Sequence, residues 1–279
     1  MFRPFPRLRE KRTLNDFTAA LIAEYRANGG RLSGQFENSR LLLLTTTGAR
    51  SGQQRTVLLA YYPDGERVLI IGSAGGSPKH PDWYHNLLAH PEVTVEDGAF
   101  TYTATAVVLQ GAERDDVFAR LVEADSGWGD YQQHTTRTLP VVALTRQPGP
   151  PPGGSLAEML ITIHNAFRRE LSLVRNEVAA SGTLGAQLRI NCLTMCQGLH
   201  YHHTGESTGL FPALVAQHPE LTEVVGVLQK EHDQIAVVLA ELERLVEVSG
   251  ADVLPQVDEL IGQLTAHLDR EEAELLPYL

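Results

Sequence analysis

The sequence predicts an α+β domain with an antiparallel sheet or barrel, followed by an all-α, up-down four-helix bundle. Three observations predict it. A proline- and glycine-rich run, Gln147-Pro-Gly-Pro-Pro-Pro-Gly-Gly-Ser155, separates two halves of different kind within 279 residues. Its composition favours an extended, semi-rigid spacer. Before it lie short aliphatic and β-branched runs, clustered with few helices between them. After it lie four long amphipathic segments with short connections, the signature of a helical bundle. The expected domains are residues 1–146 and 156–279, with 147–155 as linker.

In the first half, strands are expected at Leu41–Thr46, Val57–Tyr62, Val68–Ile71, Val93–Glu96, Thr101–Leu109 and Val141–Leu144. Each is a short apolar run bounded by turn residues. Pro63-Asp64-Gly65 reads as a hairpin turn. Helices are expected at Leu14–Tyr25, Asp82–Leu88 and Ala112–Leu121. In the second half, helical spacing runs through Leu156–Ala180, Leu184–His203, Glu220–Glu247 and Val253–Leu276. Breaks are expected at Ser181-Gly182, from Phe211-Pro212 to His218-Pro219, and at Ser249-Gly250.

Charge divides as sharply as pattern. Residues 1–150 carry 16 basic and 16 acidic side chains, whereas residues 151–279 carry 7 and 18. The net charge of −11 therefore comes from the second half, which also holds seven of the eleven histidines. An acidic chain lacks the basic surface that nucleic acid needs, so that partner is excluded. Two cysteines, Cys192 and Cys196, make no disulfide framework. There is no apolar run long enough to span a membrane, and no secretory leader, so the cytoplasm is the expected compartment. Met1–Arg12 holds five Lys/Arg with Phe2 and Phe5. It reads either as a frayed tail or as a weak contact with an anionic membrane surface.

No nucleotide-binding glycine motif occurs. Gly72-Ser73-Ala74-Gly75-Gly76-Ser77 follows a strand, and Pro78 and Pro81 delay the next helix. It is either an ordinary loop or a cradle of backbone N–H groups for an anion. A second loop, Thr45 to Gly52, is rich in hydroxyls and glycine. Arg50, Arg55 and Lys79 lie beside these loops and suit a ligand with phosphate or carboxylate groups.

These residues resemble a known family. Leu44-Thr-Thr-Thr-Gly-Ala-Arg-Ser-Gly-Gln-Gln-Arg55, Ser73-Ala-Gly-Gly, Lys79-His-Pro-Asp-Trp-Tyr-His-Asn86, His90-Pro-Glu-Val, Asp130-Tyr131 and Arg137-Thr-Leu-Pro140 follow the order and spacing of the deazaflavin-dependent nitroreductases of actinobacteria. The resemblance covers about residues 30–146. It implies a split β-barrel of the flavin-reductase type that binds coenzyme F420. It also implies hydride transfer to quinones, nitro compounds or other electrophiles. By position, Arg50, Ser51, Arg55 and Lys79 would hold the cofactor's phosphate and acidic tail. Ser73, Ala74, Gly75 and Gly76 would lie along the deazaflavin, supported by Trp83 and Asn86. Ser73 and Tyr131 would be the catalytic positions. The sequence departs from the nitroreductase pattern at Ala74, where the family has a lysine, and at Trp128 and near Asp125, where it has tyrosines. The cofactor assignment therefore transfers further than the substrate.

The second half carries a metal-ligand pattern. Glu206 is four residues after His202 and three after His203, so the three converge on one face if the helix continues past Gly205. Cys192, Cys196, Leu199 and His203 form a bundle seam at 4-3-4 spacing, which aims this cluster inward. His267 and Glu271 repeat the i,i+4 relation on the fourth helix. His164 and His232 add an imidazole from the first and third. Buried carboxylates without partners are costly, and a cation neutralises them. Imidazole with carboxylate suits iron, manganese or zinc, and a carboxylate from each of two helices favours two ions.

His164, His202-His203-x-x-Glu206, Leu210-Phe-Pro212, His232 and His267-x-x-x-Glu271-Glu272 resemble the hemerythrin-like, HHE cation-binding family over residues 156–279. That resemblance implies a non-heme diiron centre handling dioxygen, nitric oxide or iron. Here Ala236 stands where the oxygen-carrier pattern has a further histidine, and His203 or His200 is the candidate replacement. Glu272 is a further candidate ligand.

The expected protein is a two-domain redox enzyme. It couples a deazaflavin-dependent reductase to a diiron, oxygen-handling bundle, with a small-molecule substrate and dioxygen as partners and a homodimer allowed for. The alternative is an oxygen, nitric oxide or iron sensor with a degenerate barrel.

Overall fold

The computed structural model describes residues 9–149, 154–181, 184–248 and 252–279, with backbone alone over 9–16. Most of the basic segment Met1–Arg12, the linker residues 150–153 and the breaks expected at Gly182 and Ser249-Gly250 lie outside the described residues. The chain divides into two compact units, one built on a sheet and one on long helices. The short segments Pro63–Glu66 and Asp116–Trp128 group with the helical unit, although they precede the linker.

The first unit begins with α1 (Arg9–Ala27). Seven strands follow: β1 (Leu41–Thr47), β2 (Gln54–Ala60), β3 (Tyr62–Asp64), β4 (Arg67–Ile71), β5 (Glu92–Glu96), β6 (Thr101–Val108) and β7 (Val141–Arg146). They form one curled antiparallel sheet in the order β2-β1-β5-β6-β7-β4-β3, the split half-barrel that the resemblance implied. The unbroken apolar run Leu41–Leu44 has a physical reason, because β1 is buried on both faces. Leu42 and Leu44 pack with Ile70, Val95 and Val142. Leu41 and Leu43 pack with Tyr25 of α1, whose hydroxyl donates to Leu41 O at 2.8 Å.

Two strand boundaries differ from the sequence reading. β2 starts at Gln54, because the polar Gln54-Arg55-Thr56 continues the ladder with β1, and Thr45 and Thr56 hydroxyls meet at 2.7 Å. The hairpin turn falls at Gly65-Glu66, with Gly65 at φ +65, so Tyr62–Asp64 becomes a strand. Of the helices, α2 (Asp82–Ala89) and α3 (Gly111–Ala124) were expected. The short α4 (Gly127–Gln133) was not, because glycine and polar residues dominate it.

The second unit holds α5 (Leu156–Ser181), α6 (Ala186–Gly205), α7 (Phe211–Gln217), α8 (Thr222–Val246) and α9 (Leu254–Leu275). Helix α5 packs on α6, α6 on α8, α8 on α9 and α9 on α5, which closes a four-helix ring. The seam residues Cys192, Cys196 and Leu199 are fully buried in its core with Leu242, Leu260 and Leu264. The expected break from Phe211 to Pro219 is instead helix α7. Pro212 is tolerated in its first turn, where an N–H needs no helical partner. Between α6 and α7, Glu206–Leu210 forms a π turn, so the chain stays helical past Gly205. Among the described residues no helix is long and apolar enough to cross a membrane.

Candidate functional site

Each unit presents one candidate site. In the first, the loop between β1 and β2 carries Arg50 and Ser51, and β2 carries Arg55; all three are exposed, as is Lys79 ahead of α2. Among the described residues Arg50, Arg55 and Lys79 make no ion pair; Arg55 donates to Gln53 Oε1 at 2.8 Å. Asn86 on α2 is buried and holds this loop from below. Its Oδ1 accepts from Ala49 N at 3.0 Å, and its Nδ2 donates to Thr46 Oγ1 at 3.0 Å. Trp83 is buried in the sheet core.

The glycine loop after β4 turns through Ala74, Gly75 and Gly76, all left-handed, at φ 47, 60 and 76. A Cβ on Gly76 would lie 3.0 Å from His134 Cβ and 3.2 Å from Tyr131 O, so the loop runs directly against α4. Tyr131 thus reaches the glycine loop through its backbone. The loop is gripped by Arg137, whose guanidinium donates to Gly72 O at 2.9 Å, Ser73 O at 2.5 Å and Ser77 O at 2.8 Å. Arg137 joins Trp83 and Asn86, which the resemblance places in support of this loop, as a side chain that holds it. The sequence held Arg137 only as part of a motif, since a partner some sixty positions away leaves no spacing signal.

Ala74 is the only non-glycine residue at positive φ among the described residues. A Cβ there costs roughly 1–2 kcal/mol, part of which alanine recovers by restricting the unfolded chain. Ala74→Gly is therefore expected to stabilise the first domain by roughly 0.5–1 kcal/mol. Calorimetric unfolding measures it, and an unchanged transition would mean that the loop carries no such strain.

The second site lies inside the bundle. Seven side chains converge there in two adjoining groups: His164, His202, Glu206 and Glu271 in one, and His203, His232 and His267 in the other. These are the seven residues expected from the sequence. The ligand atoms within each group lie within 4.8 Å of one another. Both carboxyl groups span the groups. Glu206 lies 3.2 Å from His202 Nε2 and 3.6 Å from His232 Nε2. Glu271 lies 3.4 Å from His164 Nε2 and 3.6 Å from His267 Nε2.

The π turn places Glu206 at the end of α6 and lets the next residue, Ser207, meet the outer nitrogen of His232 at 2.9 Å. His203 stacks on His232 at 4.0 Å between ring centres, so it completes a three-imidazole group despite Ala236. His200 is exposed, outside both groups. Glu272 contacts His164 from outside, at Nδ1, 2.9 Å away. Glu231 meets His267 Nδ1 in the same way at 3.0 Å. Spacing along one helix revealed neither Ser207 nor Glu231, because each partner comes from another helix.

The chemistry of the donors fits a cation. His164 Nε2, His202 Nε2, His203 Nε2 and all four carboxyl oxygens of Glu206 and Glu271 are buried without a hydrogen-bond partner. Native interiors rarely leave so many polar atoms unsatisfied in one place. Burial, with the neighbouring Glu271 carboxyl, pushes Glu206 up to about 10. Burial, with nearby imidazoles, pushes His202 and His232 down to about 3 and depresses His203 as well. The centre thus favours neutral imidazoles at His202, His203 and His232 and a protonated carboxyl at Glu206. Metal ligation releases that proton.

Residues 19–146 match the family described as F420H(2)-dependent quinone reductase, and residues 155–279 match the hemerythrin HHE cation binding domain. F420H(2)-dependent quinone reductases of Mycobacterium tuberculosis strains CDC 1551 and H37Rv are each 40% identical over 131 residues, 45% of this chain and 87% of the relative. A solved F420-H2 dependent reductase, FDR-A, is 40% identical over 38% of this chain and 93% of its own, with a TM-score of 0.35.

Proposed function

We infer the activity from the family to which the chain belongs, the F420H(2)-dependent quinone reductases, joined here to a hemerythrin HHE cation binding domain. The protein is an F420-dependent oxidoreductase whose first domain passes a hydride to a quinone, a nitro compound or another electrophile. The second domain holds two iron ions and handles dioxygen.

In the first domain the deazaflavin supplies the hydride. The chain's own residues bind and orient it. Arg50, Ser51, Arg55 and Lys79 would meet the phosphate and acidic tail, and their exposed positions on and beside the β1–β2 loop and ahead of α2 support this role. Ser73 to Gly76 would lie along the ring, held by Arg137. Gly76 admits close backbone approach on the side of Tyr131, which would face the substrate. Arg55→Ala is expected to weaken deazaflavin binding by about 1–3 kcal/mol, the usual cost of losing a charged hydrogen-bond partner. Fluorescence titration measures it, and equal affinities would remove Arg55 from the site.

In the second domain, His164 and His202 would hold one ion and His203, His232 and His267 the other. Glu206 and Glu271 would bridge them. The single observation that carries this reading is the inward convergence of buried, unpartnered nitrogen and oxygen atoms. Two bound iron ions supply redox chemistry toward dioxygen, while the protein excludes water and fixes the ligands. Phe211 stacks on His232 at 5.3 Å and Phe167 lies tilted against His202 at 5.2 Å, which gives the centre apolar walls.

The test is anaerobic mixing of iron-loaded protein with the reduced deazaflavin, following cofactor and iron optically. Oxidation of the cofactor on adding a quinone is expected, and bleaching of ferric iron without a quinone would link the two sites. No oxidation with any quinone or nitro acceptor would overturn the reductase reading. Well-folded protein without iron would overturn the metal reading.

A further inference from the structure

We propose that Glu231 and Glu272 are positioning residues, each fixing the ring of one histidine in a different ligand group; this rests on the metal reading above. The geometry divides them cleanly. Glu272 Oε1 meets Nδ1 of His164, in the mixed group, at 2.9 Å. Glu231 Oε2 meets Nδ1 of His267, in the three-imidazole group, at 3.0 Å. Neither carboxyl belongs to a ligand group itself.

Each ring is thereby oriented from outside. The inner Nε2 atoms of His164 and His267 face Glu271 at 3.4 and 3.6 Å. A neutral imidazole has one N–H and one lone pair. An anionic acceptor at Nδ1 keeps the proton there and leaves the Nε2 lone pair pointing inward. The acceptors are themselves held. Arg168 donates to Glu272 Oε1 at 2.7 Å and to Asp269 Oδ1 at 2.7 Å. Arg270 Nε lies 3.0 Å from Glu231 Oε1. The side chains of Glu231 and Glu272 are only 21% and 23% exposed, so water competes weakly for them. His232 has the Ser207 hydroxyl at Nδ1 instead, which leaves one carboxylate for each group.

The two groups should therefore be tunable one at a time. The experiment titrates metal-free, full-length protein with cobalt(II), followed by visible spectra and calorimetry. The parent is expected to show two binding events, and His203→Ala identifies the one belonging to the three-imidazole group. Glu231→Ala should weaken that event by about 10–100-fold, and Glu272→Ala should weaken the other by a similar factor. Glu231→Gln and Glu272→Gln, which keep an acceptor oxygen, should each recover part of the loss. Arg270→Ala should shift the same event as Glu231→Ala, by less, and gives a milder test should the latter fold poorly. Both glutamates acting on one event, or neither changing any affinity, would overturn the proposal. A parent that binds no cobalt would overturn the metal reading itself, and the two failures are distinct.

Discussion

Iron-supplied Glu206→Ala protein is expected to lose most of its metal. Glu206 lies between His202 of one group and His232 of the other. Removing it would leave two cations in a dry interior short of one negative charge. Breaking a buried ion pair costs roughly 3–5 kcal/mol, so affinity should fall by about two to four orders of magnitude. The metal-free variant should behave oppositely. There the buried carboxyl must hold a proton for the chain to fold at neutral pH, so its removal should raise stability. The seam of Cys192, Cys196 and Leu199 is untouched and should keep α6 in place. Elemental analysis, with chemical unfolding in chelator and in iron, separates the two effects. Full iron retention would exclude Glu206 as a bridge, and deazaflavin affinity should not change.

Stripping the metal should also make stability depend steeply on pH, with a maximum near the ordinary histidine pKa of about 6.5. The alkaline limb comes from Glu206. Its folded pKa, near 10, lies above the unfolded value of 4.5. Its stabilising share is therefore complete below the unfolded value and is lost as pH rises toward 10. The acid limb comes from His202 and His232, whose folded values near 3 lie below 6.5. Their share is complete above 6.5 and is lost as pH falls toward 3. Each group contributes a slope of roughly 1.4 kcal/mol per pH unit within its window. Urea unfolding in chelator, between about pH 5 and 9, measures both limbs. Glu206→Gln should flatten the alkaline limb alone. A parent already flat there would mean that the carboxyl is ionised in the folded, metal-free chain.

What the sequence made legible follows from how locally each feature is encoded. The i,i+4 pairs His202/Glu206 and His267/Glu271 lie on single helices, so helical periodicity exposes them. The apolar seam orients α6 by the same rule. The glycine loop and its neighbouring cations were legible through their order along the chain. Cross-chain partners were not. Arg137 grips carbonyls sixty or more positions away, and Glu231 and Ser207 serve histidines on other helices. The replacement of the missing third-helix imidazole by His203 needed the stacking on His232 to become visible. Helix α7 was hidden by Pro212 within it and Pro219 just after it, and the polar start of β2 by its lack of an apolar run.

The π turn at Glu206–Leu210 acts as a phase corrector for the helix that runs through it. His203 and Phe211 both stack on His232, yet they are eight residues apart. An unbroken α-helix advances about 100° per residue, which would leave Phe211 about 80° out of line with His203. A π turn absorbs about one extra residue, and so takes back about that angle. The chain thereby reads two aromatic rings onto one imidazole from positions that α-helical arithmetic would send to different faces. Deleting a single residue within 206–210 would restore regular winding. Phe211 would then stand seven residues after His203, only about 20° out of line with it, so α7 would keep its face to the centre while the π turn is lost.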